Sequence, residues 1–323
     1  MVVGVLYGVI ACMIWGFVYL VPLVLPGYDP AYIAAGRFVS FGLLAGPLVW
    51  LERQELRHYS LSDWIYVAKL GVIGNIAYFW CLTYCIQYAG APFAGMCMSL
   101  VPVLVALVSN FRSRRKGRGL PVTRLAPGLI LILAGLVIAN LTEFELVAEA
   151  SEGGSARFWF GVFMGVLALL TWTWYPIRNA EWLLSHPERS ARTWSTAQGL
   201  TTLPFALAFY LVVWMMDDPG RPLLGDDPLW FVFVAAASGI ICSWLGIVFW
   251  NAMSQRLPTA LGGQLIVFET IFAVIYAHML RGTWPATTMT AGMVLLLAGV
   301  LLSLRAFRQK MNAQGGQDAG PAG

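Results

Sequence analysis

Ten stretches of about twenty apolar residues take up most of this chain, and nothing else in it restricts the fold as strongly. They run over 3–25, 30–51, 64–87, 90–111, 121–141, 158–179, 192–215, 228–253, 258–280 and 284–305. At about 1.5 Å per residue, a helix of that length crosses a hydrocarbon layer about 30 Å thick. The composition agrees, with 59% hydrophobic and 11% charged residues, against about 25% charged in a soluble globular chain. The expected fold is therefore an all-α integral membrane protein with ten transmembrane helices. The first stretch has no basic leader and no cleavage pattern, so it is expected to be a retained helix and not a secretory signal.

The basic residues set an expected orientation, because Lys and Arg near helix ends stay on the cytoplasmic side. Loops after even-numbered segments and the C-terminal tail hold most of the 20 Lys and Arg, including Arg53, Arg57, the run from Arg112 to Arg118, Arg189, Arg192, Arg256 and Arg308. Both termini are expected in the cytoplasm. The 112–119 run is read as an orientation signal, so no nucleic-acid partner is expected. Acidic loops with Glu143, Glu145, Glu149, Glu152, Asp217, Asp218, Asp226 and Asp227 then face outward. All 5 cysteines lie in apolar spans as packing residues, and the 3 histidines are scattered, so neither a disulfide framework, a metal site nor a cofactor is expected.

The chain also repeats itself. Gly4, Val5, Gly8, Val9, Ala11 and Trp15 recur as Gly161, Val162, Gly165, Val166, Ala168 and Trp172. Pro121, Thr123, Gly128, Ala134 and Gly135 recur as Pro285, Thr287, Gly292, Ala298 and Gly299. An offset of 168 pairs Gly71 with Gly239, Gln87 with Gln255 and Gly95 with Gly263. Two repeats of five helices are implied, over 1–145 and 158–306, with a periplasmic linker at 146–157 and an unfolded cytoplasmic tail at 307–323. Five is odd, so the second copy enters the membrane from the opposite side. Inverted repeats of this kind are a transporter signature, since near-equivalent halves can exchange conformations around a midplane site.

Two five-helix halves, each with a small-residue, Trp-bearing first helix and an Ala-Gly-containing last helix, resemble the EamA-type branch of the drug/metabolite transporter superfamily over about residues 4–305. Within it the sequence is similar to the YddG-type exporters of aromatic amino acids, through Trp250-Asn251 and the aromatic content of the third segment. The resemblance implies a cavity lined by helices 1, 3, 4, 6, 8 and 9, with 5 and 10 behind.

On those helices the candidate substrate-binding residues are Trp15, Tyr19, Asn75, Tyr78, Ser99, Trp172, Tyr175, Ser243, Trp244, Trp250, Gln264 and Glu269. At helical spacing Gly71, Asn75, Tyr78 and Leu82 share one face, matched in the other half by Gly239, Ser243, Gly246 and Trp250. Pro22, Pro102 and Pro176 are candidate hinges, where a helix loosens and frees backbone groups. Ionisable residues inside a span cost about 2.5–3.5 kcal/mol on insertion scales, so they are functional candidates by default. Glu269, in VFETIF, stands in place of the superfamily's Glu-Pro motif. It is expected to bind a substrate ammonium or a proton, or else to cap groups between helices 9 and 10, the latter preferred. Arg37 is expected to pair internally in preference to meeting a carboxylate, and Lys69 to snorkel to the interface.

The first helix lacks the acidic residue that drives proton-coupled cation export in the small multidrug members, which points to facilitated diffusion or exchange. No cluster of Lys and Arg sits mid-cavity, which argues against multiply charged phosphates. The reading is an inner-membrane transporter exporting small hydrophobic or aromatic amino acids by alternating access, with lipophilic drugs or other metabolites as alternative cargo. The expected partners are a small-molecule substrate and the lipid bilayer, and the oligomeric state stays open, a monomer included. An intramembrane enzyme is the remote alternative, but no H-E-x-x-H, no G-x-S-x-G and no paired intramembrane aspartates are present.

Overall fold

A computed structural model describes residues 1–115, 117, 119–141, 156–216 and 220–318, and among these residues there are helices and no strand. The ten helices long and apolar enough to cross a membrane are α1 (Val2–Val24), α2 (Pro30–Leu51), α3 (Leu61–Ala89), α4 (Phe93–Arg115), α5 (Val122–Ala139), α6 (Ala156–Ser185), α7 (Ala191–Met216), α8 (Pro228–Ser254), α9 (Thr259–Arg281) and α10 (Thr287–Lys310). Local chemistry sets several of the ends. Asp29 accepts from the Ala31 amide at 2.7 Å ahead of Pro30, which suits the first helical position because its missing N–H would be unsatisfied there. Ser60 and Asp63 form a reciprocal capping box that starts α3. Gly90 (φ +90°) and Gly282 (φ +63°) let the chain leave α3 and α9 through backbone that side chains resist.

Residues 146–155 of the expected linker, along with Glu143, Glu145, Lys116, Arg118, Asp217 and Asp218, lie outside the described residues. The tail expected to be unfolded from 307 instead continues α10 helically to Asp318, and 319–323 lie outside the described residues. The extension has a physical basis: Phe307 is buried in the core and the Lys310 ammonium donates to the Gly119 carbonyl at 2.8 Å.

Small residues carry the close helix contacts, and the contacts repeat in register. A Cβ on Gly4 would meet Leu257 and Arg256, and one on Gly8 would meet Leu265 and Met253. In the other half, Gly161 faces Ala89 and Tyr88, and Gly165 faces Cys85 and Cys97. The two sets of partners are related by the same offset of 168 read from Gly71 and Gly239. Thus α1 packs on α8 and α9, and α6 packs on α3 and α4, each reaching across to the other half.

Helices α5 and α10 meet backbone to backbone. Gly128 lies against the Gly299 carbonyl and Gly135 against that of Gly292, with the reciprocal contacts also present. The pairing runs in opposite directions along the two chains, so these helices are antiparallel. Backbones approach this closely in a membrane where small residues line both faces.

Candidate functional site

Helix α3 is α-helical to Gly71, π-helical over Val72–Ala77 and α-helical again from Tyr78. Helix α8 does the same over Gly239–Leu245. The two π-helical turns stand at equivalent places in the two halves, next to Gly71 and Gly239. A π turn carries an extra residue, which rotates the residues beyond it by about 100° relative to an ideal helix of 3.6 residues per turn. The expected face is therefore split. Asn75 turns toward α7, where its amide donates to Thr202 Oγ1 at 3.4 Å, while Tyr78 turns toward α6.

Tyr78 stacks on Trp172 (centroids 4.7 Å apart, planes at 18°), and Trp172 stacks on Tyr175 (5.4 Å, 2°). Trp172 also meets Trp15 at 6.3 Å, and Trp15 meets Trp250 at 5.1 Å. Five of the candidate residues thus form one continuous aromatic row drawn from α1, α3, α6 and α8. Trp15 is fixed by its indole N–H, which donates to the Cys242 carbonyl of α8 at 2.9 Å, a carbonyl within the π-helical turn.

Beside this row the Tyr19 hydroxyl donates to Glu269 Oε1 at 3.2 Å. Glu269 thus bonds to α1, where Tyr19 lies in a short 3-10 turn, Phe17–Leu20, alongside α9, and no bond from Glu269 to α10 is present among the described residues. Arg37 also departs from expectation. It is 8% exposed, has no hydrogen bond or ion pair among the described residues, and its Nε is buried without a partner. Its guanidinium carbon sits 4.7 Å from the Phe38 ring centroid and 4.8 Å from that of Phe79. No internal partner of the kind expected is bonded to it among the described residues, and its guanidinium lies against the Phe38 and Phe79 rings instead.

The other candidates are placed differently. Ser243 is buried with its hydroxyl unpartnered, as is the Trp250 indole N–H. Trp244 is half-buried and donates to Thr196 Oγ1 at 3.2 Å. Ser99 and Gln264 bond within their own helices, to the Met96 and Ala260 carbonyls, and Gln264 is fully buried with Oε1 unpartnered. Pro22 follows the 3-10 turn of α1, and Pro102 follows a break in α4 at Leu100. Pro176 lies inside an unbroken helix, so no loosening is present there.

Sequence reasoning missed a buried polar network toward the end of the bundle that carries both chain termini. Tyr175 donates to Gln198 Oε1 at 2.7 Å, and Gln198 Nε2 and Trp194 Nε1 both donate to Asn179 Oδ1, at 3.0 and 2.9 Å. Asn179 Nδ2 donates to Asn251 Oδ1 at 2.7 Å, and Asn251 Nδ2 donates to Ser195 at 2.9 Å. Nearer that end, Arg112 pairs with Glu181 through bonds of 2.7 and 3.0 Å, and Glu55 accepts from the Ser190 amide and the Thr193 hydroxyl at 2.7 and 2.8 Å. Both ties join the first half of the chain to the second. A cavity there, lined by Val105, Pro176, Trp250, Met253 and Gly263 among others, measures about 10 Å³, no more than one water.

At the opposite end the bundle is less closed. Gly263 of α9 packs against Val105 and Ala106 of α4. In the same register Gly95 of α4 would meet α9 near Ala273, yet nothing lies within 4 Å of where its Cβ would be. The α4–α9 seam is shut toward the chain termini and splayed away from them, beside Tyr19, which is 51% exposed, and the half-buried Glu269.

Ten membrane-crossing helices, closed at one end around an aromatic row with an ionisable edge, make up the build of a membrane transporter. Residues 2–141 match the profile of the EamA-like transporter family. The inner membrane protein YtfF of Escherichia coli (strain K12) is 36% identical over 314 residues, covering 96% of this chain and 97% of that protein. The chain belongs to the EamA-like transporter family of the drug/metabolite transporter superfamily. A solved crystal structure with 18% identity shares the fold at a TM-score of 0.71, covering 95% of this chain and 98% of its own.

Proposed function

We propose that this protein is an inner-membrane exporter of small hydrophobic or aromatic amino acids, working by alternating access between inverted five-helix halves with both termini cytoplasmic. The observation that carries the reading is the aromatic row Trp250–Trp15–Trp172–Tyr78, which packs ring to ring through the middle of the bundle, with the Tyr19-bonded Glu269 carboxylate where the α4–α9 seam is splayed. Flat faces favour an aromatic or apolar side chain, with about 0.5–1.5 kcal/mol per ring pair beyond area burial. Glu269 offers an anion to an ammonium. Tyr19 on α1 and Tyr78 on α3 add hydroxyls. With the termini end cytoplasmic, the splayed end faces the periplasm, and this is the outward-facing state of the cycle.

The repeated contacts of Gly4/Gly8 and Gly161/Gly165 support an exchange of the two halves' roles. Without an acidic residue in the first helix, the substrate gradient itself is the driving force. The inner-membrane placement rests on the related protein's name and the apolar content of the helices. The test is counterflow in proteoliposomes loaded with each amino acid in turn, with and without a proton gradient. Saturable exchange of phenylalanine, tryptophan or leucine is expected at equal pH inside and out. Absence of flux for every amino acid would overturn the reading, and competition by lipophilic cations instead would reassign the cargo.

A further inference from the structure

We propose that Arg37 is the anchor for a substrate carboxylate and forms, with Glu269, a two-pole site that selects zwitterions carrying both a carboxylate and an ammonium. The proposal rests on the amino-acid reading above and specifies which part of such a molecule goes where. Arg37 is only 8% exposed, yet none of its nitrogens is bonded within the protein among the described residues. A guanidinium presents five N–H donors in a planar fork that matches a carboxylate bidentately, and it is always charged. Buried without an anion, it is a charge left for a ligand to satisfy.

What the protein does provide is a mould for that geometry. The guanidinium is held beside the Phe38 and Phe79 rings at 4.7 and 4.8 Å, contacts that position a planar cation without occupying its hydrogen-bond donors. Among the described residues the Glu269 carboxylate makes no ion pair with Arg37, and its side-chain hydrogen bond is to Tyr19. The two opposite charges are therefore unjoined, and each is open to the complementary pole of a zwitterion. Phe79, against which Arg37 lies, meets the ring of Tyr78 at 4.8 Å, so the charge adjoins the aromatic row.

The repeat supplies an internal comparison. The offset of 157 that relates Gly42 to Gly199 and Pro47 to Pro204 places Trp194 opposite Arg37. Trp194 is enclosed in a satisfied network with Asn179, Gln198 and Ser195 among its members. At the equivalent places around Arg37 stand Pro22, Phe41 and Phe38, which offer no acceptor side chain. One half fills this position with structure, and the other leaves a charge there without a partner.

The test is equilibrium binding by titration calorimetry on the purified full chain in detergent, with three ligands that share one apolar group: phenylalanine, phenethylamine without the carboxylate, and 3-phenylpropanoate without the ammonium. The wild type is expected to bind phenylalanine above both analogues. Arg37→Gln should weaken phenylalanine and 3-phenylpropanoate by about tenfold to a hundredfold, as for loss of a charged hydrogen bond, and leave phenethylamine nearly unchanged. Arg37→Lys should restore part of the loss, and Glu269→Gln should show the opposite selectivity. A structural role for Arg37 would lower all three affinities together, and that result, or unchanged ligand ratios in R37Q and R37K, overturns the proposal. Should R37Q fail to fold, the ratios in R37K and E269Q decide. No binding of any of the three to the wild type removes the amino-acid reading itself, and the proposal with it.

Discussion

Replacing Asn179 by leucine tests whether the buried network holds the termini end of the bundle together. Asn179 is fully buried and is the hub of the network: its Oδ1 accepts from Trp194 and Gln198, and its Nδ2 donates to Asn251. Leucine fills similar space but removes three hydrogen bonds of 2.9, 3.0 and 2.7 Å. At the mean of about 0.6 kcal/mol measured per side-chain hydrogen bond in one membrane protein, the loss is about 2 kcal/mol. That figure assumes that the stranded groups find other partners. Trp194 Nε1 would lose its bond to Asn179 while the side chain is stacked on Trp182 at 3.5 Å and fully enclosed. Orphaned buried groups cost about 1–3 kcal/mol each, so the expected total for N179L is about 2–5 kcal/mol. Reversible denaturation in mixed micelles, followed by tryptophan fluorescence, reads it directly. The cycle formed by N179L, Asn251→Leu and the double variant should show a coupling of at least about 0.5 kcal/mol, since the two amides share a bond. A single-variant loss below about 0.5 kcal/mol, or strict additivity in the cycle, would show that the network contributes nothing to the packing of α6, α7 and α8.

Gly161→Ala should destabilise more than Gly8→Ala, by about 1–3 kcal/mol against less than about 1, because the new Cβ would meet the Ala89 backbone nitrogen at 2.6 Å in one case and the flexible tips of Leu265 and Met253 in the other; the same denaturation assay ranks them. Trp172→Ala removes the ring shared by Trp15, Tyr78 and Tyr175, and should weaken aromatic amino-acid binding by about tenfold or more while leaving leucine less affected, as read by calorimetry. Tyr59, in the loop between α2 and α3, has a buried hydroxyl without a partner, and burial pushes its phenol above the usual tyrosine range. A group whose folded-state value is raised stabilises fully below its unfolded value, about 10, and that contribution is lost as pH rises past it. Tyr59→Phe should therefore be neutral or slightly stabilising at about pH 7 and should flatten the loss of stability above about pH 10, measured as Tm against pH.

Hydropathy alone places the membrane helices within a few residues of their observed ends, because a run of apolar side chains cannot stop in lipid without exposing backbone. The glycine spacing is equally legible: Gly4/Gly8 and Gly161/Gly165 mark close approaches wherever they fall, and the repeat then gives their partners. What escapes the sequence is rotation. The π-helical turns over Val72–Ala77 and Gly239–Leu245 leave no composition signal beyond neighbouring glycines, and they send Asn75 and Tyr78 to different neighbours. Asn179 and Gln198 carry no signal of their own, because a lone amide on a membrane helix says nothing of its facing helix until the helices are packed. Most intramembrane charges are paired, which is why the sequence points to an internal partner for Arg37, and only the placement of Phe38 and Phe79 around it shows otherwise.

The departures from the repeat bear on how such a protein works. Where the second half closes with amides and hydroxyls around Asn179 and Asn251, the first half has Pro22, Phe38, Phe41 and Thr83 at the equivalent positions, with Arg37 among them. Two halves that exchange roles need equivalent backbones, and the matching glycine contacts and matching π-helical turns provide these. They do not need equivalent side chains. A polar network that is satisfied in only one half, with ion pairs from Arg112 to Glu181 and from Arg192 to Glu52 outside it, favours the state closed toward the chain termini. The opposite state must break those cross-half ties and close the end that holds Arg37 and the Tyr19-bonded Glu269. Under the proposal made above for Arg37, a bound carboxylate would remove the cost of its buried charge, and the substrate itself would lower the barrier to closing the splayed end. On this reasoning the empty protein rests splayed, and flux is faster when both faces hold substrate than when one is empty, as expected of an exchanger.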